Sequence, residues 1–229
     1  ERMANRRAVV TGASSGIGEA VVRALRAGEW DVVGVARRAA RLEALDAEIG
    51  SRSYAADLTS EADVAALAAH LEDTGPVHAL VHVAGGARGT QRVEDGDPDD
   101  WRWMFEVNVL SAQLVTSALL PHLRRAAEAD GHADTVYVTS TAAQTAYPGG
   151  AGYNAAKAGE AMLVHALRLE LNGEPIRVVE VAPGMVQTEE FSLNRLGGDR
   201  AAAEKVYDGV EEPLRAGDVA DVVAYALNA

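Results

Sequence analysis

Cysteine is absent from the 229 residues. That excludes disulfides and thiolate metal sites and is compatible with a reducing compartment. Positive charge is in short supply: 21 Lys and Arg stand against 34 Asp and Glu, a formal net charge of −13. Such a field disfavours nucleic acid and anionic membranes as partners, and an anionic substrate would need local basic residues to overcome it. No apolar run in the sequence reaches the length that spans a bilayer, and Glu1-Arg2-Met3-Ala4-Asn5-Arg6-Arg7 lacks the apolar core of a signal peptide. A cytoplasmic protein is predicted. Internal repeats and low-complexity segments are also missing.

Hydrophobic residues make up 48% of the chain, enough for one substantial core and no reason for a second domain, so residues 1–229 are read as one unit. Apolar runs alternate with helical stretches, the rhythm of an α/β doubly wound parallel sheet. Strands are predicted at Arg7–Val10, Asp31–Ala36, Arg52–Ala56, Val77–Val83, Thr135–Thr139 and Ile176–Val181. Helices begin near Gly16, Ala39, Glu61, Asp99 and Gly152. Ser60-Glu61-Ala62-Asp63 is a capping-box pattern, and Gly28 is placed to close the first helix. Two loops stand out, Gly85 to Pro98 and a second from Pro183 to about Asp199, the latter opening an expected substrate loop over about 183–215. Both follow strand carboxyl ends, where open sheets bind ligands.

Two signatures carry the chemistry. Thr11-Gly12-Ala13-Ser14-Ser15-Gly16-Ile17-Gly18 lies between an apolar strand and a helical stretch. That is the context of a dinucleotide site, with Gly12 for the turn and Gly16 and Gly18 leaving room for a pyrophosphate at the helix N-terminus. Far downstream, Tyr153 and Lys157 fall one helical turn apart on one face, with Ser140 at the end of a strand. A phenol titrates too high for a base at neutral pH, and a nearby ammonium favours its phenolate. Together the two signatures point to hydride transfer between a nicotinamide cofactor and an alcohol or carbonyl.

This ordered set resembles the classical short-chain dehydrogenases/reductases. The resemblance runs from Arg7 to the last helix and includes Asp57-Leu58, Asn108 within Val107-Asn108-Val109, and Pro183-Gly184-Met185-Val186-Gln187-Thr188. It implies a Rossmann fold, with Tyr153 as general acid/base, Lys157 holding the ribose and lowering the tyrosine pKa, and Ser140 orienting the carbonyl. Asn108 would support a water-linked proton relay. The implied cofactor contacts are Gly12, Ser14, Ser15, Gly16, Ile17, Gly18, Asp57, Leu58, Ala84, Gly85, Tyr153, Lys157, Pro183, Gly184, Val186 and Thr188. One motif departs: His82-Val83-Ala84-Gly85 replaces the family's Asn-Asn-Ala-Gly, which puts in doubt the hydrogen bonds that brace the central strands. His78 and His82 are spaced as a metal pair, but an apolar strand without Cys or a nearby carboxylate favours core histidines, and no metal is expected.

Arg37 and Arg38 stand where NAD enzymes commonly carry an acid. Basic residues entering a helix oppose its dipole unless an anion binds there, so NADP is the expected cofactor. The segment from Thr188 to Asp199 is similar to the NADP-dependent 3-hydroxy acid dehydrogenase branch, which acts on small hydroxy acids such as serine and 3-hydroxyisobutyrate. Arg195 there reads either as a bidentate carboxylate clamp or as a loop arginine paired with Glu189, Glu190 or Asp199. Gln144 and Tyr147 are pocket candidates by position, while Trp101 and Trp103 read as packing or subunit contacts. A broad ketone or 3-oxoacyl reductase, or a non-catalytic dinucleotide sensor, are the alternatives. The resemblance also implies a homotetramer, helped by Trp103, Val107, Leu110 and Leu114 on one helix and Met162, Leu163 and Leu167 on another.

Overall fold

The computed structural model describes residues 6–188 and 190–229; Glu189, one of the partners considered for Arg195, and residues 1–5 lie outside them. Strands β1 (Arg7–Thr11), β2 (Asp31–Ala36), β3 (Arg52–Ala55), β4 (Ala79–His82), β5 (Ala133–Val138) and β6 (Ile176–Val181) form one sheet. Its order is β3-β2-β1-β4-β5-β6 and each pair of neighbours is parallel. The order reverses between β1 and β4, which opens a crevice at their carboxyl ends.

Helices cover both faces, so the central strands read as continuous Ala and Val runs rather than alternating ones. On one face lie α3 (Glu61–Thr74), α5 (Ser111–Asp130) and α6 (Ala151–Glu170), burying Leu67, Leu71, Leu119, Leu123 and Val164. The other face carries α1 (Gly16–Ala27), α2 (Ala39–Ile49) and α9 (Ala216–Asn228), with Val22, Leu25, Leu42, Val219 and Val223 in the core.

The predicted strands and helix starts recur with shifted ends: β4 is shorter than Val77–Val83, and β5 starts at Ala133. Gly28 is not left-handed (φ −84°) and it is Glu29 that takes the positive φ of 65°. Ser60 does cap α3, accepting from the Asp63 N–H at 3.2 Å. Asp63, however, turns one oxygen to the Asp57 N–H, which ties β3 to α3. The expected loop 183–215 contains four short elements, β7 (Val186–Gln187), α7 (Phe191–Arg195), α8 (Arg200–Lys205) and β8 (Leu214–Arg215), with β7 and β8 paired.

The helix predicted near Asp99 begins at Pro98 as α4 (Pro98–Phe105) and runs through a π turn, Glu106–Leu110, into α5. The combined Pro98–Asp130 helix is long and apolar enough to cross a membrane by length and composition, which corrects the expectation that no stretch is. Its apolar residues Ala112, Val115, Leu119 and Leu123 are instead fully buried against the sheet.

Candidate active site

The glycine turn joins β1 to α1 at the crevice. Gly12 adopts φ +69°, and a Cβ there would come within 3.0 Å of the Ala84 backbone nitrogen. A Cβ on Gly18 would lie 2.1 Å from the Gly12 carbonyl oxygen. Gly18 is therefore required by the packing of α1 on its own turn, whereas its spacing alone suggested clearance for a pyrophosphate. Gly16 opens the helix N-terminus, with the Thr188 methyl group 3.5 Å from where its Cβ would stand. Ile17 packs into the core beneath.

Arg38 crosses to this turn, donating to the Ser14 hydroxyl at 2.9 Å and the Ser15 hydroxyl at 2.8 Å. Both Arg38 and Arg41 form ion pairs with Glu190, at 2.9 Å and 2.8 Å, so a carboxylate occupies the basic rim beside the turn. The chemistry of this rim, two guanidinium groups gathered on one carboxylate with the Ser14 and Ser15 hydroxyls held beside them by Arg38, suits a phosphate. Arg37 is exposed on the other side, near Asp57. Hydrogen bonds from Thr59, and then the Arg37 charge, hold the Asp57 carboxyl below its ordinary range against the effect of burial. Leu58 is buried in the core.

His82 takes over part of the missing amide bracing. Its Nδ1 lies 3.2 Å from the Thr11 hydroxyl, which accepts the N–H groups of Val83 and Ala84, each at 3.0 Å. Burial and the Lys157 charge push the His82 pKa down to about 3, so the ring is neutral. His78 accepts from the Arg7 N–H and pairs with Asp130 at 2.9 Å. Both rings are core histidines.

Ser140 follows β5, and its hydroxyl accepts from the Ala142 N–H at 3.1 Å. Tyr153 and Lys157 project from the first turns of α6. The Tyr153 phenol is held above its ordinary value by burial, although the Lys157 charge lowers it in the sense the resemblance implied. Burial is the largest cause; the Lys157 charge and the Ser140 hydroxyl oppose it, while the Glu160 charge reinforces it. Lys157 is buried, its Nζ donating to Glu160 Oε2 at 2.6 Å and, more weakly, to the Val138 carbonyl at 3.4 Å.

Asn108 lies in the π turn, an interruption that helices often place at functional sites. Its amide donates to the carbonyls of Gly86 and Met104 and accepts from the Gly86 N–H. These bonds use the side chain for holding the backbone beside Gly85. A Cβ on Gly85 would lie 2.5 Å from Asn108 Oδ1 and 3.5 Å from Lys157 Nζ, so the two residues converge there.

The loop after β6 closes over this group. Pro183 is tied to the Ser140 turn through the Thr141 N–H at 3.0 Å, Gly184 is exposed, and Val186 belongs to β7. From α7, Phe191 packs on Tyr153 with ring centroids 5.6 Å apart. Arg195 donates to the Gly89 carbonyl at 3.1 Å, the Tyr147 hydroxyl at 2.8 Å and the Gly149 carbonyl at 3.4 Å. Its guanidinium stands 5.5 Å from the Tyr153 ring centroid. No carboxylate among the described residues pairs with it, and neither Glu190 nor Asp199 is its partner. Gln144 lies exposed on the turn behind. Trp103 packs at the site, its ring against Gly86 and beneath Arg88 at 4.0 Å, whereas Trp101 is partly exposed.

Glu160, Phe191 and Arg41 were not among the residues singled out from sequence, and Glu190 was named only as a partner considered for Arg195. Glu160 had a signal, because i+3 from Lys157 and i+7 from Tyr153 is the same helix face. The others reach the site only through tertiary folding.

A parallel sheet with a glycine turn at its switch point and a Ser, Tyr and Lys group in the same crevice defines a dinucleotide-dependent oxidoreductase. Comparison with known proteins agrees: residues 6–195 match the short chain dehydrogenase family, and the chain belongs to it. It is 51% identical over 218 residues to an uncharacterized oxidoreductase of Mycobacterium tuberculosis, covering 95% of this chain and 83% of that one. It is 32% identical over 234 residues to the NADP-dependent 3-hydroxy acid dehydrogenase of Schizosaccharomyces pombe, covering 99% of this chain and 88% of that protein. A closed form of serine dehydrogenase complexed with NADP+ superposes with a TM-score of 0.90 at 31% identity, over 96% of this chain and 88% of that one. The resemblance to the 3-hydroxy acid branch read from the sequence is borne out.

Proposed function

We propose that the protein is an NADP-dependent dehydrogenase/reductase acting on a small hydroxy acid or its carbonyl counterpart, all within one domain. The observation that carries the substrate class is Arg195, beside the Tyr153 ring with no carboxylate partner among the described residues. A guanidinium has five N–H donors, and Arg195 uses one each on Nε, Nη1 and Nη2. One hydrogen remains on each Nη, and these are the donors a substrate carboxylate would take.

Arg38 and Arg41, with Ser14 and Ser15, would hold the 2′-phosphate in the place that Glu190 now fills, and the amides from Ser15 to Gly18 the pyrophosphate. Asp57 Oδ2, without a hydrogen-bond partner among the described residues while Oδ1 accepts from Thr59, would meet the adenine, and Ala84, Gly85 and Thr188 would line the path between the two ends. A bound nicotinamide supplies the hydride acceptor or donor. The Tyr153 phenol gives or takes the proton at the substrate oxygen, and the Ser140 hydroxyl orients that oxygen. An ammonium has three donors, so Lys157 keeps one beyond its bonds to Glu160 and Val138 with which to hold a ribose hydroxyl. Asn108 fixes the backbone where a relay water would sit.

A cytoplasmic homotetramer fits the same reading. Phe105, Leu110, Met162 and Leu169 are exposed apolar residues on the α4 to α6 faces, although Leu167, expected there, is in the core. Purified protein should be assayed with NADP and with NAD against serine, 3-hydroxyisobutyrate and uncharged alcohols and ketones of equal length. NADP with the acids should give the highest kcat/KM. A preference for neutral ketones would overturn the substrate class in favour of a broad ketone or 3-oxoacyl reductase, and equal use of NAD would overturn the cofactor assignment.

A further inference from the structure

Beneath the acid/base pair lies a carboxylate that the proposed chemistry does not require. Glu160 is fully buried, and its Oε2 accepts from Lys157 Nζ at 2.6 Å. Its other oxygen, Oε1, is buried with no hydrogen-bond partner among the described residues. A half-satisfied buried carboxylate costs stability, and an apolar side chain at this position of α6 would fill the space without that cost. Its placement therefore points to what it does for Lys157.

The charged and titratable groups around Glu160 come from several elements. Lys157 and Tyr153 precede it on α6, and Tyr137 on β5 is affected by its charge. From β6, Glu180 repels it; that carboxylate is itself engaged by the Thr139 hydroxyl at 2.7 Å and by His165 at 2.9 Å, at the surface. His82 on β4 feels Lys157 from the far side. Lys157 is the one cation in contact with Glu160 among the described residues. Burial would discharge the ammonium, but the Glu160 and Tyr153 charges and the Glu160 hydrogen bond outweigh it, and the Lys157 pKa is raised. The same carboxylate opposes ionisation of the Tyr153 phenol.

We propose that Glu160 is a positioning residue, which holds the Lys157 ammonium in place and cancels part of its field at the Tyr153 phenol. The proposal rests on Tyr153 being the acid/base. It follows that Lys157 in this protein is a partly neutralised cation, and that a short-chain dehydrogenase with an apolar residue at this position would ionise its tyrosine more readily.

The test is Glu160→Gln, which keeps the volume and an acceptor for Nζ but removes the charge. The pH profile of kcat/KM for oxidation rises as the phenolate forms. In this variant its rising limb should move to lower pH by about one unit, or about tenfold in rate at a fixed pH on the limb. Glu160→Asp, which draws the carboxylate back by one methylene, should fall between, and decides the matter alone if the Gln variant does not fold. A readout without turnover comes from ultraviolet titration of the unliganded protein, each variant minus the same variant carrying Tyr153→Phe. The Tyr153 phenolate should appear in the same order: Gln at the lowest pH, then Asp, then the native protein. A limb and titration that stay put, or loss of rate without a shift, overturn the proposal. If Tyr153→Phe itself remains active, the acid/base assignment has failed instead.

Discussion

Replacing Arg195 by Ala separates the two readings of that residue. It has two functions to lose: in the fold it bonds the Gly89, Tyr147 and Gly149 segments together, and in the proposed function its guanidinium, 5.5 Å from the Tyr153 ring centroid, gives its unused Nη hydrogens to a substrate carboxylate. A charge-assisted contact to a substrate carboxylate is worth roughly 1.5–3 kcal/mol, so its loss should raise KM for 3-hydroxy acids by about tenfold to about 150-fold. The loop bonds are lost for every substrate alike, so their effect appears equally on uncharged alcohols of the same length. Initial rates with serine or 3-hydroxyisobutyrate and with a neutral alcohol, on the native and variant enzymes, give the ratio that isolates the carboxylate term. Arg195→Lys retains the charge without the Nη donors and should recover only part of the discrimination. An equal loss on charged and neutral substrates would show that Arg195 only holds the loop, and the case for a hydroxy acid would lose its residue-level support.

Three further expectations follow from the same geometry. Tyr153→Phe should lower turnover by about a hundredfold or more while leaving NADPH binding nearly intact, checked by steady-state kinetics beside fluorescence titration; retention of a tenth of the native rate would contradict the role. Arg38→Asp should move the NADP to NAD ratio of kcat/KM by at least about tenfold toward NAD, and Arg37→Asp by much less, because Arg38 and not Arg37 reaches Ser14, Ser15 and Glu190. Glu190→Gln should tighten NADP binding and leave NAD binding unchanged, measured by calorimetry, since the native carboxylate must leave Arg38 and Arg41 before a phosphate can take its place; equal effects on the two cofactors would place the phosphate elsewhere.

The sheet and the main reactive groups were legible in the sequence for a local reason. Buried parallel strands need unbroken apolar runs, a phosphate turn needs glycine at fixed spacing, and Tyr153 and Lys157 share a face because a helix turn is a fixed length. Even Glu160 was present in that same helical phase. What the sequence could not supply were the relations that depend on where separate segments meet. Glu190 and Arg38 are 152 residues apart and form an ion pair only because the loop after β6 folds back over the glycine turn. Arg195 gains its place beside Tyr153 by the same closure. The direction of the Tyr153 pKa was equally out of reach: a sequence shows a lysine one turn away, whereas burial, the largest influence on the phenol, exists only once the chain has excluded water from the crevice. Local spacing therefore determined which groups the protein carries, and tertiary folding decided which charges they face and in what dielectric.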